Sequence, residues 1–314
     1  MSESVAVAVP RKGRPLEAAL ERFAAVGGEA AARLADEVST TLRYEKAVTK
    51  DEATAERGIY ERLAAYSDTT VAATADTNGD TRGIRGPEYT LVRDDRDGHP
   101  RRIVFDSATL VVDDTPVRLV GREEPFRALR THEFALGFDS ADLVLEEVVT
   151  LSPTGVESIA DVNERIDPRD TDVRVATGLG DTVYHTLLAT PAEIPPGTSL
   201  DRSFVADYAG DLCISPRYER LVEAVLGTDA LSDVTFCYPE AGREEEAAIA
   251  DTGVGVYLTV TGNTAREHGL VVGEKLFPSE TVLLENEVET TAASERVRAA
   301  LADGVETAIE ATPN

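Results

Sequence analysis

Short runs of β-branched and aliphatic residues alternate with amphipathic helical segments along this chain, and that alternation most restricts its fold. Val5–Val9 is predicted as a strand, and a helix is predicted from about Pro15. Leu212–Ser215, Pro216–Leu226 and Val234–Tyr238 repeat the order strand, helix, strand. Strands that are separated by helices tend to pair in parallel and to be covered by those helices. The sequence therefore predicts an α/β protein with mainly parallel sheets.

Four other segments matter for the later argument. Lys46–Tyr66 is predicted as one helix, and the β-branched run Leu143–Leu151 as a strand. An amphipathic helix is predicted from about Thr291 to Ile309, near the end of the sequence. Thr74–Pro87 is rich in Gly and contains Asn-Gly, which predicts a loop.

Acidic side chains outnumber basic ones by 58 to 31, and the formal net charge is -27. The basic residues include only four lysines, Lys12, Lys46, Lys50 and Lys275. This composition is typical of a haloarchaeal protein from a high-salt cytosol, where screening weakens repulsion between carboxylates. An acidic mesophilic protein is the alternative. The sequence has no basic stripe that could neutralise phosphates, which argues against DNA or RNA as a partner.

The sequence also predicts a cytoplasmic protein that does not enter a membrane. It has no apolar run of about 18 residues and no apolar N-terminal signal core. Cys213 and Cys237 are too few for a disulfide framework and are not spaced as a zinc site. The four histidines are scattered, so no metal cluster is predicted.

Pro10–Arg14 is the first of three segments that can carry chemistry. Here the predicted first strand leads through Lys12, Gly13 and Arg14 into the start of a helix. Backbone amides at a helix start favour anions, and adjacent cations strengthen that preference. A solvated turn without function is the alternative for this segment.

The second segment is Leu258–Leu270, in which a predicted strand enters the turn Thr261-Gly262-Asn263-Thr264. The two hydroxyls and the amide can donate hydrogen bonds, and Gly262 lets backbone N–H groups approach an oxyanion closely. We interpret the turn as a phosphate-binding loop that differs from the P-loop. Ordinary turn chemistry is the alternative.

The third segment is Phe134–Glu147, where Asp139, Ser140 and Asp142 follow a predicted strand and Glu146 lies in the apolar run beyond. Acidic groups at the carboxyl end of a strand can bind hydroxyls or Mg²⁺. Solvated carboxylates are the alternative in a chain this acidic.

In order and spacing, the three segments resemble the catalytic core of ATP phosphoribosyltransferase, the first enzyme of histidine biosynthesis. That family opens with a strand and a Pro-Lys-Gly-Arg turn, which Pro10–Arg14 matches. Ala135–Glu146 resembles its middle Asp-Leu-Gly-Ile-x-Gly-x-Asp-x-x-x-Glu stretch, and Tyr257–Leu270 its Asp-x-x-x-Thr-Gly-x-Thr-x-Arg-x-Asn-Gly-Leu loop. The resemblance covers roughly residues 1–35 and 115–314, and residues from about 40 to 115 align with nothing in it.

Three positions depart from the family pattern. Tyr257 stands where the family has the Asp that reaches the ribose hydroxyls, and a phenol supplies no carboxylate. Ala135 and Ser140 replace the leading Asp and the second Gly of the middle stretch. Glu244 or Glu245 corresponds to the family's other acid, with the register open by one residue.

The resemblance implies the two-lobed α/β architecture of periplasmic-binding proteins (type II), with the ligand in a cleft. Lobe I would comprise residues 1–150 and 272–314, with an insertion at about 40–115, and lobe II residues 151–271 with the phosphate loop. Since the sequence ends soon after the predicted closing helix, no following regulatory domain and no feedback inhibition by histidine are expected.

The implied enzyme is a glycosyltransferase that binds phosphoribosyl pyrophosphate (PRPP), ATP and Mg²⁺ and transfers phosphoribosyl to N1 of ATP. Thr261, Gly262, Asn263 and Thr264 would hold the 5′-phosphate, and Lys12, Arg14 and Arg122 would meet the charge on pyrophosphate. Glu244, Glu245, Asp142 and Glu146 would be acids on the ribose and Mg²⁺ side. No metal site is expected from the protein alone.

Two other functions remain open. A non-catalytic PRPP or nucleotide sensor would keep the phosphate loop and lose the ribose acid, as Tyr257 suggests. A bilobal small-molecule-binding protein would lack phosphoribosyl chemistry altogether. Both a homo-oligomer and a complex with a regulatory partner subunit are compatible with the sequence.

Overall fold

A computed structural model describes residues 4–72, 85–94, 100–157, 159–240 and 243–305, and in residues 67–72 and 159 only the backbone. The chain forms two compact units. Unit 1 consists of Met1–Asp139, Asp172–Leu179 and Thr281–Val305, and the described part of unit 2 of Ser140–Thr171 and Gly180–Glu280. The expected α/β class with two lobes is therefore confirmed.

Both units contain helices and strands. The helices are α1 (Arg14–Val26), α2 (Gly28–Thr49), α3 (Ile59–Ala72), α4 (Pro125–Arg130), α5 (Ala141–Glu147), α6 (Ile159–Glu164), α7 (Arg202–Asp207), α8 (Glu219–Leu226), α9 (Glu245–Thr252), α10 (Asn263–Glu267) and α11 (Ala292–Ala302). The strands are β1 (Val5–Pro10), β2 (Arg85–Arg93), β3 (Arg101–Val112), β4 (Thr115–Arg122), β5 (Leu136–Ser140), β6 (Val173–Gly178), β7 (Val183–Ala189), β8 (Gly210–Cys213), β9 (Val234–Cys237), β10 (Val254–Thr259), β11 (Val271–Ser279) and β12 (Thr281–Asn286).

Unit 1 is built on a seven-stranded sheet with the order β2-β3-β4-β1-β5-β12-β6. In this sheet β1 is parallel to both β4 and β5, whereas β2, β3 and β4 form an antiparallel series. Apolar residues of α1 and α2, among them Leu16, Phe23 and Val38, pack against Phe105 and Leu119 of the sheet in one buried core. This core holds the carboxyl ends of β1 and β4 side by side.

Unit 2 is built on a five-stranded sheet with the order β11-β7-β10-β8-β9. The strand–helix–strand prediction for Leu212–Tyr238 is confirmed, since β8 and β9 are parallel and α8 connects them. The strands β7 and β11 pair antiparallel, as do β7 and β10. Both sheets are thus mixed, and the prediction of mainly parallel sheets was wrong. The edge strand β11 escaped prediction because Gly273 and Pro278 interrupt its pattern.

The predicted strand Leu143–Leu151 was also wrong, because α5 occupies most of it. Val144, Leu145 and Val148 are buried together, and α5 packs against α8. Tertiary packing here outweighs the strand propensity of the β-branched residues. Most of the predicted loop Thr74–Pro87 lies outside the described residues, as does the end of the predicted closing helix beyond residue 305.

The boundaries of the two units differ from the predicted lobe boundaries. Residues 140–150 and 272–280, which the prediction assigned to lobe I, belong to unit 2, and 172–179 belong to unit 1. The reason is strand pairing, since β11 joins the unit 2 sheet through β7 and β6 joins the unit 1 sheet through β12. Among the described residues no helix is both long and apolar enough to cross a bilayer.

The predicted helix Lys46–Tyr66 is two helices, because α2 ends at Thr49 and α3 begins at Ile59. Asp51 adopts a left-handed conformation with φ 58° between them, which a helix does not tolerate. A buried ion pair joins the two helices across this break. Glu45 is only 5% exposed, and its carboxylate accepts hydrogen bonds from Arg62 Nε at 2.8 Å and Nη2 at 3.0 Å. The Tyr66 hydroxyl donates a third hydrogen bond to the same carboxylate at 2.7 Å.

Glu45→Ala is expected to lower the free energy of unfolding by about 3–5 kcal/mol, because the Arg62 guanidinium is left buried without its partner. Glu29→Ala removes an exposed pair with Arg33 from the same helix α2 and should cost at most about 1 kcal/mol. Urea denaturation of both variants measures the difference. Equal losses in the two variants would show that the buried pair does not hold α2 to α3.

Candidate functional site

The predicted phosphate loop forms an exposed turn between β10 and α10 in unit 2. Thr261, Asn263 and Thr264 are exposed, while Gly262 is buried and left-handed with φ 68° and ψ 20°. A Cβ on Gly262 would lie 2.8 Å from Val272 Cγ2, closer than such atoms approach. Both the dihedral angle and the close approach therefore require glycine at this position.

The backbone amides of the loop are free to bind a ligand. The N–H groups of Gly262, Asn263 and Thr264 donate no hydrogen bond to any oxygen of the described residues. Backbone donors in an exposed turn bind either water or a ligand. Successive N–H groups around a left-handed glycine form a concave anion site. The arrangement can hold a phosphate monoester.

Arg266 closes the loop from its helical side. Its Nη1 donates to the Thr261 carbonyl at 2.8 Å and to Asn263 Oδ1 at 3.2 Å. Because Oδ1 is thereby occupied, the Asn263 amide nitrogen faces away from the guanidinium as a donor. The sequence analysis did not select Arg266 as a site residue. Its spacing of three from Asn263 on a helical turn was the available signal.

Glu244 and Glu245 lie close to the loop. His268, at the end of α10, has its Nε2 3.3 Å from Glu244 Oε2. Tyr257, which lies in β10 before the loop, is close enough to Glu245 for the charge of that carboxylate to act on its hydroxyl. Burial and the charges of Glu245 and Glu246 raise the pKa of Tyr257 to about 12, so its hydroxyl stays protonated at neutral pH. Unit 2 thus brings two of the four predicted acids together with the phosphate loop.

Asp142 and Glu146 have other partners in unit 2. Asp142 is 5% exposed and its two oxygens receive His185 Nε2 at 3.1 Å and Ser279 Oγ at 2.8 Å. Glu146 accepts the Leu221 amide at 2.8 Å in the first turn of α8, and burial raises its pKa. The structure places both acids in α5 with internal partners rather than beside the loop, because the segment is a helix and not a strand.

The predicted cations of unit 1 lie near the ends of two interior strands of its sheet, and they are Lys12, Arg14 and Arg122. The parallel register pairs Pro10 with Arg122, so the turn after β1 and the end of β4 are neighbours. Gly13 has φ 84°, which lets the chain turn directly into α1. The Arg122 guanidinium lies over the Phe134 ring at 5.0 Å and its Nη2 is 3.4 Å from Glu133. The three predicted cations therefore lie on chain segments at or just beyond the carboxyl ends of two parallel strands, where α/β sheets bind ligands.

Carboxylates and imidazoles do not converge on a metal position in the part of the chain that the structure describes. No group of three or more His, Cys, Asp or Glu side chains there could hold a metal ion. The exposed acid Glu244 has its Oε2 3.3 Å from His268 Nε2. A Mg²⁺ ion that acts here would take most of its oxygen ligands from a phosphorylated substrate.

The fold thus defines a two-unit α/β protein, with an exposed glycine turn between a strand and a helix in one unit and cationic residues at the carboxyl ends of two strands in the other. The family of halobacterial ATP phosphoribosyltransferases matches residues 1–311, and the chain belongs to that family. The resemblance inferred from the sequence is thereby confirmed. None of the curated protein sequences with which the chain was compared is significantly similar to it.

Solved structures with similar folds are distant in sequence. The ATP phosphoribosyl transferase (HisG:HisZ) complex from Thermotoga maritima has 14% identity over 95% of this chain and 96% of that chain, with a TM-score of 0.38. YhfZ from Shigella flexneri has 14% identity over 61% of this chain and 74% of that chain, with a TM-score of 0.38. The periplasmic VFT2 domain of BvgS from Bordetella pertussis has 10% identity over 61% of this chain and 72% of that chain, with a TM-score of 0.32. These scores carry no functional argument, and the assignment rests on the family match.

Proposed function

We propose that this protein transfers the phosphoribosyl group of PRPP to N1 of ATP, as the first step of histidine biosynthesis. The C1–N1 bond forms, the C1–O bond to pyrophosphate breaks, and its electron pair leaves with pyrophosphate. Membership of the phosphoribosyltransferase family supports this reaction. The observation that carries it is the loop around Gly262, whose amides donate to no described oxygen.

Each part of the site would contribute through position or charge. Thr261, Gly262, Asn263 and Thr264 would hold the 5′-phosphate and so place C1 for attack. Lys12, Arg14 and Arg122 would stabilise the charge that develops on pyrophosphate, together with the Mg²⁺ that this group binds. Electrostatic stabilisation of a leaving group needs preorganised cations, and two of them would come from the turn after β1 and the first residue of α1.

The ribose acid is proposed to be Glu245. Tyr257 occupies the position of the family's Asp, and the Glu245 carboxylate lies near enough to its hydroxyl to act on it and to be oriented by it. An oriented carboxylate accepts both vicinal ribose hydroxyls, which a phenol cannot do. The departure at Tyr257 would then move the acid from β10 to the first turn of α9 instead of removing it.

The reaction is tested by incubating the protein with PRPP, ATP and Mg²⁺ in molar KCl and measuring pyrophosphate and N1-phosphoribosyl-ATP together. Both products should appear in equal amounts. Tight PRPP binding without pyrophosphate release would instead favour the sensor function, which the replacement of the family Asp by Tyr257 supports. Failure to bind PRPP at all would leave the bilobal binding protein.

Glu245→Gln is expected to weaken PRPP binding by about tenfold or more, since hydrogen bonds to a charged group contribute roughly 1.5–3 kcal/mol each. Tyr257→Phe keeps the carboxylate but removes the donor that orients it, so a smaller loss is expected. Glu246→Gln, one residue along the same helical turn, is the matched control and should bind as wild type. Calorimetric titration with PRPP at fixed Mg²⁺ measures all three. A Glu246 variant that loses as much as the Glu245 variant would contradict this assignment.

A further inference from the structure

Three of the four lysines in this chain line a single cavity of unit 1. Lys12, Lys46 and Lys50 surround a space of about 270 Å³ together with Arg102. The cavity is bounded by the turn between β1 and α1, by the last turns of α2 and by the start of β3. Because acids outnumber bases by 58 to 31 in this sequence, such a concentration of lysines is a local reversal of the overall charge.

Four cationic side chains but only two carboxylates line this lysine cavity. Neither Lys12 nor Lys46 forms an ion pair with any carboxylate of the described residues, and Lys50 has only Glu52 at 3.9 Å. Two carboxylates line the cavity, Glu17 and Glu45. Glu45 is already bound by a guanidinium that approaches from α3. Unpaired ammonium groups that face one cavity attract an anion of more than one charge.

The lysine cavity lies near the carboxyl ends of β1 and β4, where the predicted catalytic cations also lie. In β3, Ser107 pairs with Val120 of β4, so Arg102 lies beyond Arg122 at the carboxyl end of β4. The Phe105 amide donates to the Arg11 carbonyl at 3.1 Å, which fixes β3 against the turn that carries Lys12. The Arg102 guanidinium is held by Asp94, with Nε 2.6 Å from Oδ2. The cavity is therefore continuous with the proposed catalytic turn.

A second and larger cavity of about 620 Å³ is also lined by Arg102, Glu45 and Thr49. It is bounded by α2, the chain between α2 and α3, and the start of β3. Its volume is within the range of about 300–1,000 Å³ that small-molecule sites occupy. A ligand whose phosphates entered the lysine cavity would have room here for the rest of the molecule.

We propose that Lys12, Lys46 and Lys50 bind the polyphosphate chain of a substrate. The shared chemistry is a diphosphate or a triphosphate, which the pyrophosphate group of PRPP and the triphosphate of ATP both offer. This inference rests on the proposed function, because Lys12 belongs to both sites. It assigns a role to the segment of about 40–115, for which the family resemblance implied none.

The test uses inorganic tripolyphosphate and pyrophosphate as probes, because neither contains a ribose phosphate for the Gly262 loop. Calorimetric titration of Lys46→Gln and Lys50→Gln should show about tenfold weaker tripolyphosphate binding in each, and a larger loss in the double variant. Lys275→Gln is the matched control, since the fourth lysine lies in unit 2 over the Tyr184 ring at 4.2 Å. That variant should bind the probe as wild type does.

Unchanged affinity in the double variant would overturn the proposal, and so would an equal loss in Lys275→Gln, which would assign the effect to overall charge. Thermal unfolding in parallel shows that each variant is folded. Displacement of the bound probe by ATP but not by PRPP would show that the site binds the triphosphate of ATP. Displacement by PRPP but not by ATP would show that it binds the pyrophosphate group of PRPP. A protein that binds tripolyphosphate through these lysines but releases no pyrophosphate from PRPP would refute the proposed reaction and keep the site.

Discussion

Gly262→Val is expected to reduce PRPP affinity at least about hundredfold, because two or more charge-assisted hydrogen bonds of roughly 1.5–3 kcal/mol each are lost. Gly262 has φ 68°, which a β-branched residue strongly disfavours, and its Cβ would meet Val272 at 2.8 Å. The turn must therefore open, and its amides no longer converge on the phosphate. Calorimetry with PRPP and Mg²⁺ measures the loss.

Gly269→Val is the matched control for backbone strain. Gly269 lies at the other end of α10 with φ 75°, and a Cβ there would meet nothing within 4 Å. The two variants carry the same unfavourable φ, roughly 1–3 kcal/mol of strain, but only the first disturbs the proposed phosphate contacts. Gly269→Val should therefore keep PRPP binding. Comparable loss of binding in both variants, or in neither, would show that the Gly262 loop is an ordinary turn.

The second large effect is expected from salt. With a formal charge of -27, carboxylate repulsion opposes the folded state until it is screened. The Debye length shrinks from about 10 Å at 0.1 M to about 3 Å at 1 M salt. We expect the thermal midpoint to rise by roughly 10 °C or more between 0.1 and 2 M KCl, equivalent to several kcal/mol in a protein of this size.

The form of the salt dependence separates screening from other effects. Screening should produce most of the rise below about 1 M, where the Debye length falls fastest. Exclusion of salt from the protein surface would instead keep raising the midpoint at higher concentration. Differential scanning calorimetry in KCl from 0.1 to 4 M gives the curve. A midpoint that stays constant from 0.1 to 2 M would refute adaptation to a high-salt cytosol.

Local sequence determined the elements whose signals are short-range. The strand–turn–helix from Val5 onward and the helix Pro125–Arg130 were predicted, because a proline at the first helical position and a glycine turn act on their immediate neighbours. The Thr261–Thr264 turn was predicted for the same reason, since Gly262 alone sets its left-handed dihedral. Family membership also followed from these motifs, because their residues and spacing are read directly along the chain.

Only the tertiary structure decided which residues share a site. Asp142 and Glu146 looked like available acids, but burial in α5 gives them His185, Ser279 and an amide of α8 as partners. The helix α5 itself replaced a predicted strand because packing against α8 outweighs local propensity. Glu245 was one of two acids open in register, and its proposed role rests on the influence of its charge on Tyr257, which no local pattern indicates.

The lysine cavity shows the same division most clearly. The sequence by itself determined that the chain has few lysines and that Lys12 stands in a strand–helix turn. It could not show that Lys46 and Lys50 line the same cavity as Lys12, because they are 34 and 38 positions away along the chain. In the structure the last turns of α2 and the turn after β1 border one cavity. Contacts between residues so far apart depend on how whole elements pack, and no local pattern encodes them.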